Sequence, residues 1–183
     1  MKKVSLFVLM AMLSLTAYAD TFIGGPQYGS YQINYFSPVG ETFTASGGDL
    51  VFAAFGVNPI NGWMPGDNTL SVNVFDGAGF GGTLLGTSSA FVPDGFNNYL
   101  FFNFSGITLT AGQQYTIQIT DGTAKWGLTA TTATAPGAFA WNNPFGNQVE
   151  FQEHENATPE PGSLFLLGSG LLGLGTRVRK YIA

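Results

Sequence analysis

Apolar and polar residues alternate along the middle of the chain with a period close to two. In Leu70–Val74 the apolar residues are separated by Ser71 and Asn73, and Tyr115–Thr120 repeats this alternation. Gly, Asn, Asp or Pro interrupts the pattern every ~8–12 residues. This alternation predicts strands that bury one face and leave a neutral polar face in water.

The pattern predicts an all-β body. Six segments are predicted strands: ETFTAS, LVFAAFGV, TLSVNVF, SSAFV, NYLFFNF and QYTIQIT. KWGLTA, AFAW and QVEF are expected to add three more. No stretch of residues 20–157 has a sustained helical period with caps. About eight to ten short antiparallel strands bury their apolar faces by packing as two sheets. The predicted fold is a jelly-roll-like antiparallel β-sandwich, with an up-and-down barrel as the alternative.

The start of the chain has the features of a secretory signal peptide. Two lysines precede an apolar run, Val4–Leu15, and Ala17 and Ala19 have the small-x-small spacing of a cleavage site. The sequence therefore predicts export, removal of residues 1–19 and a mature chain that starts at Asp20.

Two boundaries are predicted after the body. The β-sandwich is expected over residues 20–150. Residues 151–158 are polar and acidic and lack apolar spacing, which is typical of a linker. The remaining segment, residues 159–181, differs from both in composition.

Composition and charge restrict the function. The chain has no Cys, so disulfides and thiolate metal sites are excluded, and only 9% of its residues are charged. Residues 20–157 hold ten acidic residues and one Lys, Lys125, which gives a net charge of −9. Because nucleic acids are normally bound by Lys and Arg clusters, no nucleic-acid partner is expected.

No catalytic residue and no metal ligand is predicted. His154 is the only His and lies in the predicted linker, so we interpret it as solvated. Most Asp residues adjoin Gly or Asn, which is typical of turns. Gly77–Gly82 matches a dinucleotide-binding pattern, but a strand-like segment follows, and we interpret it as a hairpin loop. Structural calcium in the Asp-rich loops is the one cofactor alternative.

The three tryptophans are the candidates for contact with a ligand. Trp63, Trp126 and Trp141 would stack against sugar rings if their faces were exposed. The alternative for each is core packing, because aromatic side chains dominate buried area.

The end of the chain predicts a short apolar helix over residues 163–176. Its apolar core, Leu164–Leu174, spans 11 residues, whereas a full membrane span needs about 20. Arg177, Arg179 and Lys180 follow and predict a cytoplasmic C-terminus.

Pro159, Glu160 and Pro161, followed by this short helix and the basic cluster, resemble a PEP-CTERM sorting domain. The resemblance implies a Gram-negative bacterium and an exosortase-type transpeptidase that recognises the tripeptide. It also implies that the basic cluster is a cytoplasmic stop, that the tail is held transiently in the inner membrane, and that the body reaches the cell surface or an exopolysaccharide matrix. The body segments look like small jelly-roll domains found with such tails.

The expected function is that of an exported, non-enzymatic protein with a structural or adhesive body. The alternative is a carbohydrate-binding module for a neutral exopolysaccharide, with a small glycoside hydrolase as a third hypothesis. A hydrolase would need two carboxylates about 5–9.5 Å apart.

Overall fold

Strands dominate the part of the chain that the computed structural model describes, which comprises residues 20–25, 27–60, 68–121, 126–135, 138–142 and 148–157. The elements in chain order are β1 (Phe22–Ile23), β2 (Gln27–Gln32), α1 (Ile33–Phe36), β3 (Val39–Thr44), β4 (Gly48–Pro59), β5 (Asn68–Asp76), β6 (Leu84–Val92), β7 (Asn98–Asn103), β8 (Thr108–Leu109), β9 (Gln114–Thr120), β10 (Trp126–Thr131), β11 (Phe139–Trp141), β12 (Gln148–Val149) and β13 (Phe151–Ala157).

The strands form two antiparallel sheets. The first has the order β1-β13-β4-β10-β12, with β2 paired to β10 and with β7 and β8 paired to β4. The second has the order β11-β3-β9-β5-β6. This arrangement confirms the all-β prediction and is consistent with a β-sandwich body.

The core contains the apolar positions that the alternation marked. Leu70, Val72 and Val74 of β5 are fully buried, and the polar residues between them lie on the opposite face. The two sheets meet through aromatic rings: Phe151 of the first sheet lies 6.0 Å from Phe43 of the second, measured between ring centroids. Full burial of a side chain of this size contributes about 1.5–3 kcal/mol.

The linker prediction is wrong for residues 151–157, because they form β13. This strand pairs with β4 over seven residues, so the sheet extends past the predicted boundary at residue 150. Glu153 and Glu155 occupy inward positions of the strand, where apolar residues were expected. Each carboxylate accepts backbone N–H bonds, which offsets the cost of burying it.

The structure also holds elements that the pattern did not predict, namely β1, β2, β8 and the four-residue α1. No helix among the described residues is long and apolar enough to cross a membrane. The predicted signal peptide and the predicted helix over residues 163–176 lie outside the described residues.

Candidate binding face

The outward face of the second sheet carries a fixed aromatic and polar surface, which we call the binding face. Its positions are set by register, because Thr42 of β3 lies opposite Thr116 of β9 and Phe139 of β11. Phe75 of β5 lies on the far side of Thr116. The face therefore consists of the residues that alternate with the core positions of these strands.

A directed chain of hydrogen bonds fixes one end of the binding face. The Thr116 hydroxyl donates to the Gly77 carbonyl oxygen at 2.9 Å, so its single proton is committed there. The Thr42 hydroxyl, 2.7 Å away, must therefore donate to Thr116 Oγ1. Thr42 Oγ1 in turn accepts from Trp141 Nε1 at 2.7 Å. The indole is thereby tied to the centre of the sheet.

The Gly-rich segment forms the loop between β5 and β6, as the sequence predicted. The Gly79 N–H donates to Thr116 Oγ1 at 2.7 Å, which adds the loop to the same hydrogen-bond chain. Gly79 has φ +87°, and a Cβ there would meet Trp141 ring atoms at 3.1 Å. Glycine is needed at this position because of its backbone conformation and because the indole packs against it.

Four aromatic side chains adjoin one another at this end of the face. The Phe80 ring lies 5.7 Å from Trp141 and 6.2 Å from Phe75, between centroids. The Phe139 ring lies 5.3 Å from Trp141 at an interplanar angle of 78°. Phe139 is 57% exposed, whereas the other three are half-buried. The cluster presents ring surface to solvent on a rigid base.

The rest of the binding face is polar and uncharged. Asn73 Nδ2 donates to Gln118 Oε1 at 3.1 Å, and the Ser71 and Ser89 hydroxyls lie 2.7 Å apart. On the described residues of these five strands, the outward positions that alternate with the core carry no charge; the exposed carboxylate of Asp76 ends β5 at the hairpin loop. Hydroxyl and amide groups beside exposed rings match the chemistry of a neutral sugar, which offers hydroxyls and weakly polar ring faces.

The structure places the three candidate tryptophans in different environments. Trp141 lies on the binding face. Trp126 is fully buried, which confirms core packing for this residue and excludes it as a contact for sugar. Trp126 is the first residue of β10, and every residue of this strand is buried. Trp63 lies outside the described residues.

The carboxylates that could have formed a catalytic pair are scattered. Asp94 lies in the turn between β6 and β7, and Asp76 ends β5 at the hairpin loop, as expected of turn residues. Glu41 and Asp49 instead lie within strands β3 and β4. Asp121 is structural, because its carboxylate accepts from the Asn68 amide and from the backbone of β10.

Glu41, the first residue of the predicted strand ETFTAS, points into the core beneath the sheet. It is fully buried, and neither carboxyl oxygen has a hydrogen-bond partner of good geometry. Burial raises the pKa of Glu41 well above its usual value, and the backbone N–H of Val149 offsets this only in part. Burial raises the pKa of Tyr31 as well, and a charge on Glu41 would raise it further. The burial of Glu41 favours the protonated form of its carboxyl group.

The first sheet holds a polar cavity of about 160 Å³. Its lining includes Gln27, Gly56, Tyr99, Thr129 and Glu150, and Glu150 is the only acid among the described residues that line it. Burial raises the pKa of Glu150, with the Gln27 side chain opposing the shift. Burial, aided by the Glu150 charge, raises the pKa of Tyr99 to about 12. A single carboxyl group does not provide the pair that glycoside hydrolysis uses.

His154 lies in β13 and not in a linker, and its partly exposed side chain makes two contacts. Its Nδ1 lies 2.9 Å from Asp20 Oδ2, and its ring stacks on Phe52 with centroids 5.4 Å apart. Among the described residues, no group of three or more His, Cys, Asp or Glu side chains is arranged to hold a metal ion.

Comparison with known proteins adds one finding, and it concerns the tail. Residues 157–180 match the PEP-CTERM protein-sorting motif. The matched range contains Pro159, Glu160 and Pro161 and the basic residues Arg177, Arg179 and Lys180, all of which lie outside the described residues. No curated protein matches the chain.

The PEP-CTERM motif implies export and sorting by an exosortase, as the resemblance in the sequence suggested. It also implies membrane-associated sorting in a Gram-negative bacterium. The match confirms the predicted sorting motif but says nothing about the function of the β-sandwich, which has to be inferred from its surface.

Proposed function

We propose that this chain is an exported, non-enzymatic protein of the cell surface or extracellular matrix. In this proposal the signal peptide is removed after Ala19, and the exosortase recognises Pro159, Glu160 and Pro161 while the tail is held in the inner membrane. Arg177, Arg179 and Lys180 remain on the cytoplasmic side as a stop. The observation that carries the proposal is the match of residues 157–180 to the PEP-CTERM motif.

The body, in this proposal, is a jelly-roll-type β-sandwich that adheres to a neutral exopolysaccharide through the binding face. The cluster around Trp141 supports this role, because a rigid aromatic surface orders few groups on binding and so loses little conformational entropy. The absence of charge on the described part of the face favours a neutral polymer over an acidic one, since the described residues offer no Lys or Arg to pair with a carboxylate.

Two phenylalanines on the same sheet allow a matched test of adhesion. Phe139 and Phe91 are 57% and 60% exposed and lie at opposite edges of the second sheet, but only Phe139 adjoins Trp141. The exported protein would be titrated with neutral polysaccharides from the matrix of its own host, and binding would be followed by calorimetry.

We expect Phe139→Ala to weaken binding about tenfold, which corresponds to ~1.4 kcal/mol, and Phe91→Ala to leave it unchanged. Equal losses in the two variants would mean that the aromatic cluster is not the contact surface. No binding by the unaltered protein would remove the adhesive role, while the sorting proposal would stand on its separate test.

A further inference from the structure

Three carboxylates lie close together where the described chain begins. Both oxygens of Glu155 are satisfied, because they accept from the backbone N–H groups of Ser46 at 3.0 Å and Gly47 at 2.7 Å. Glu153 is only half satisfied: its Oε1 accepts from the Thr21 N–H at 2.8 Å, while its Oε2 is buried and has no hydrogen-bond partner. The third carboxylate, Asp20, contacts His154.

This acidic cluster lacks a cation that fits it. The described residues contain no Lys or Arg. His154 lies on the outward face of β13, where it bonds to Asp20 and stacks on Phe52, whereas Glu153 points inward and is 1% exposed. A buried carboxylate without a charge partner is costly, so a positive group beside its free oxygen would stabilise the fold.

Removal of the signal peptide would create such a group at this place. Hydrolysis adds one water across the Ala19–Asp20 amide bond, leaves a carboxylate on Ala19 and frees the α-amino nitrogen of Asp20, which takes up a proton. Three covalent bonds separate this nitrogen from the Thr21 nitrogen, so the two lie within about 4 Å of each other. The Thr21 N–H already contacts the Glu153 carboxylate.

We propose that the Glu153 carboxylate is the binding site for the α-ammonium group of Asp20, so that signal-peptide removal completes an ion pair that anchors β1 to β13. The inference rests on the proposed function, because it requires cleavage after Ala19. It explains why an acid without a full set of partners occupies an inward position of a strand.

The electrostatics define when the ion pair should form. Burial raises the pKa of Glu153 to about 7 while Asp20 carries an amide, and the charges of Glu155 and Asp20 add to the shift. The other acid on the neighbouring β4, Asp49, is exposed. With its pKa raised, Glu153 costs stability as pH rises from about 4.5 to about 7. The ammonium group would remove this cost until it deprotonates, which the ion pair would move above its usual pKa of about 7.7–8.0 because the pair stabilises the charged form.

The test compares the mature chain carrying a free α-amine with the same chain acetylated only at Asp20. Selective acetylation is practical near pH 7, because the α-amine has a lower pKa than Lys side chains. Glu153→Gln, which keeps the shape but removes the charge, serves as the matched variant. N-terminal sequencing of the exported protein is done first.

We expect acetylation to lower the Tm at pH 7 by about 3–6 °C in the unaltered protein and by under about 1 °C in Glu153→Gln. The loss should shrink as the pH falls from 7 to 4, because protonation of Glu153 removes the charge that the ammonium group pairs with. An equal loss in both proteins, or none in the unaltered one, would overturn the ion pair.

The pKa of the α-amine, measured by NMR, gives a second result that does not depend on the variant. A value above the usual range supports the pair, and a value within it overturns the pair. If the exported protein starts at a residue other than Asp20, the proposed processing step fails as well. A start at Asp20 without an acetylation effect overturns the ion pair alone.

Discussion

Thr42→Val tests whether the hydrogen-bond chain under Trp141 is structural. The substitution keeps the side-chain volume but removes the hydroxyl that accepts from Trp141 Nε1 and donates to Thr116. Thr116 retains its bonds to the hairpin loop, so the largest cost is the indole N–H that loses its acceptor. A buried polar group without a partner costs about 1–3 kcal/mol, and the second bond adds about 1 kcal/mol. We expect a loss of about 2–4 kcal/mol.

Urea unfolding followed by circular dichroism measures this loss. Thr87→Val is the matched control, because Thr87 is exposed on the same face of the edge strand β6. The control should change the free energy of unfolding by less than about 0.5 kcal/mol. If Thr42→Val and Thr87→Val have equal effects, the hydrogen-bond chain does not hold the indole as described.

Two further substitutions test the loop and the buried acid. Gly79→Ala should destabilise the protein by about 1–3 kcal/mol, because Gly79 has a positive φ and packs against Trp141. Gly81 has open space around it, so Gly81→Ala should be near neutral. Equal urea midpoints for the two variants would contradict this expectation. Glu41→Gln tests the raised pKa of Glu41: the folded protein holds that proton above the usual pKa, so stability falls as pH rises past about 4.5. The variant should therefore gain stability relative to the unaltered protein between pH 4 and pH 7, and a constant difference across that range would contradict the burial argument.

The alternation of residues was sufficient to predict most strands and the class of fold. Leu70, Val72 and Val74 face the core because a period of two leaves only one way to bury them. The pattern failed at β13, since Glu153 and Glu155 occupy inward positions there. Backbone N–H groups that are 108 to 132 residues away in sequence satisfy these carboxylates, and no local pattern reveals such partners.

The candidate site could be predicted only in part. Sequence reasoning marked Trp141 and Trp126 alike, because both lie in short strand-like segments. Their exposure depends on which face each strand turns outward, and that is decided by register with distant strands. The bond from Trp141 to Thr42 joins residues 99 apart, and the bond from Thr42 to Thr116 joins residues 74 apart. The hydrogen bonds that hold Trp141 on the binding face therefore cannot be predicted from the local sequence.

The central claim is that the PEP-CTERM motif decides where the body goes. Replacing Pro159, Glu160 and Pro161 with alanine in the native host, followed by fractionation and intact mass of the body, tests it directly. We predict that the unaltered body is found at the cell surface or in the matrix, and that the altered protein stays in the inner membrane with its tail uncut. An altered protein with the same location and the same tail processing as the unaltered one would contradict the account.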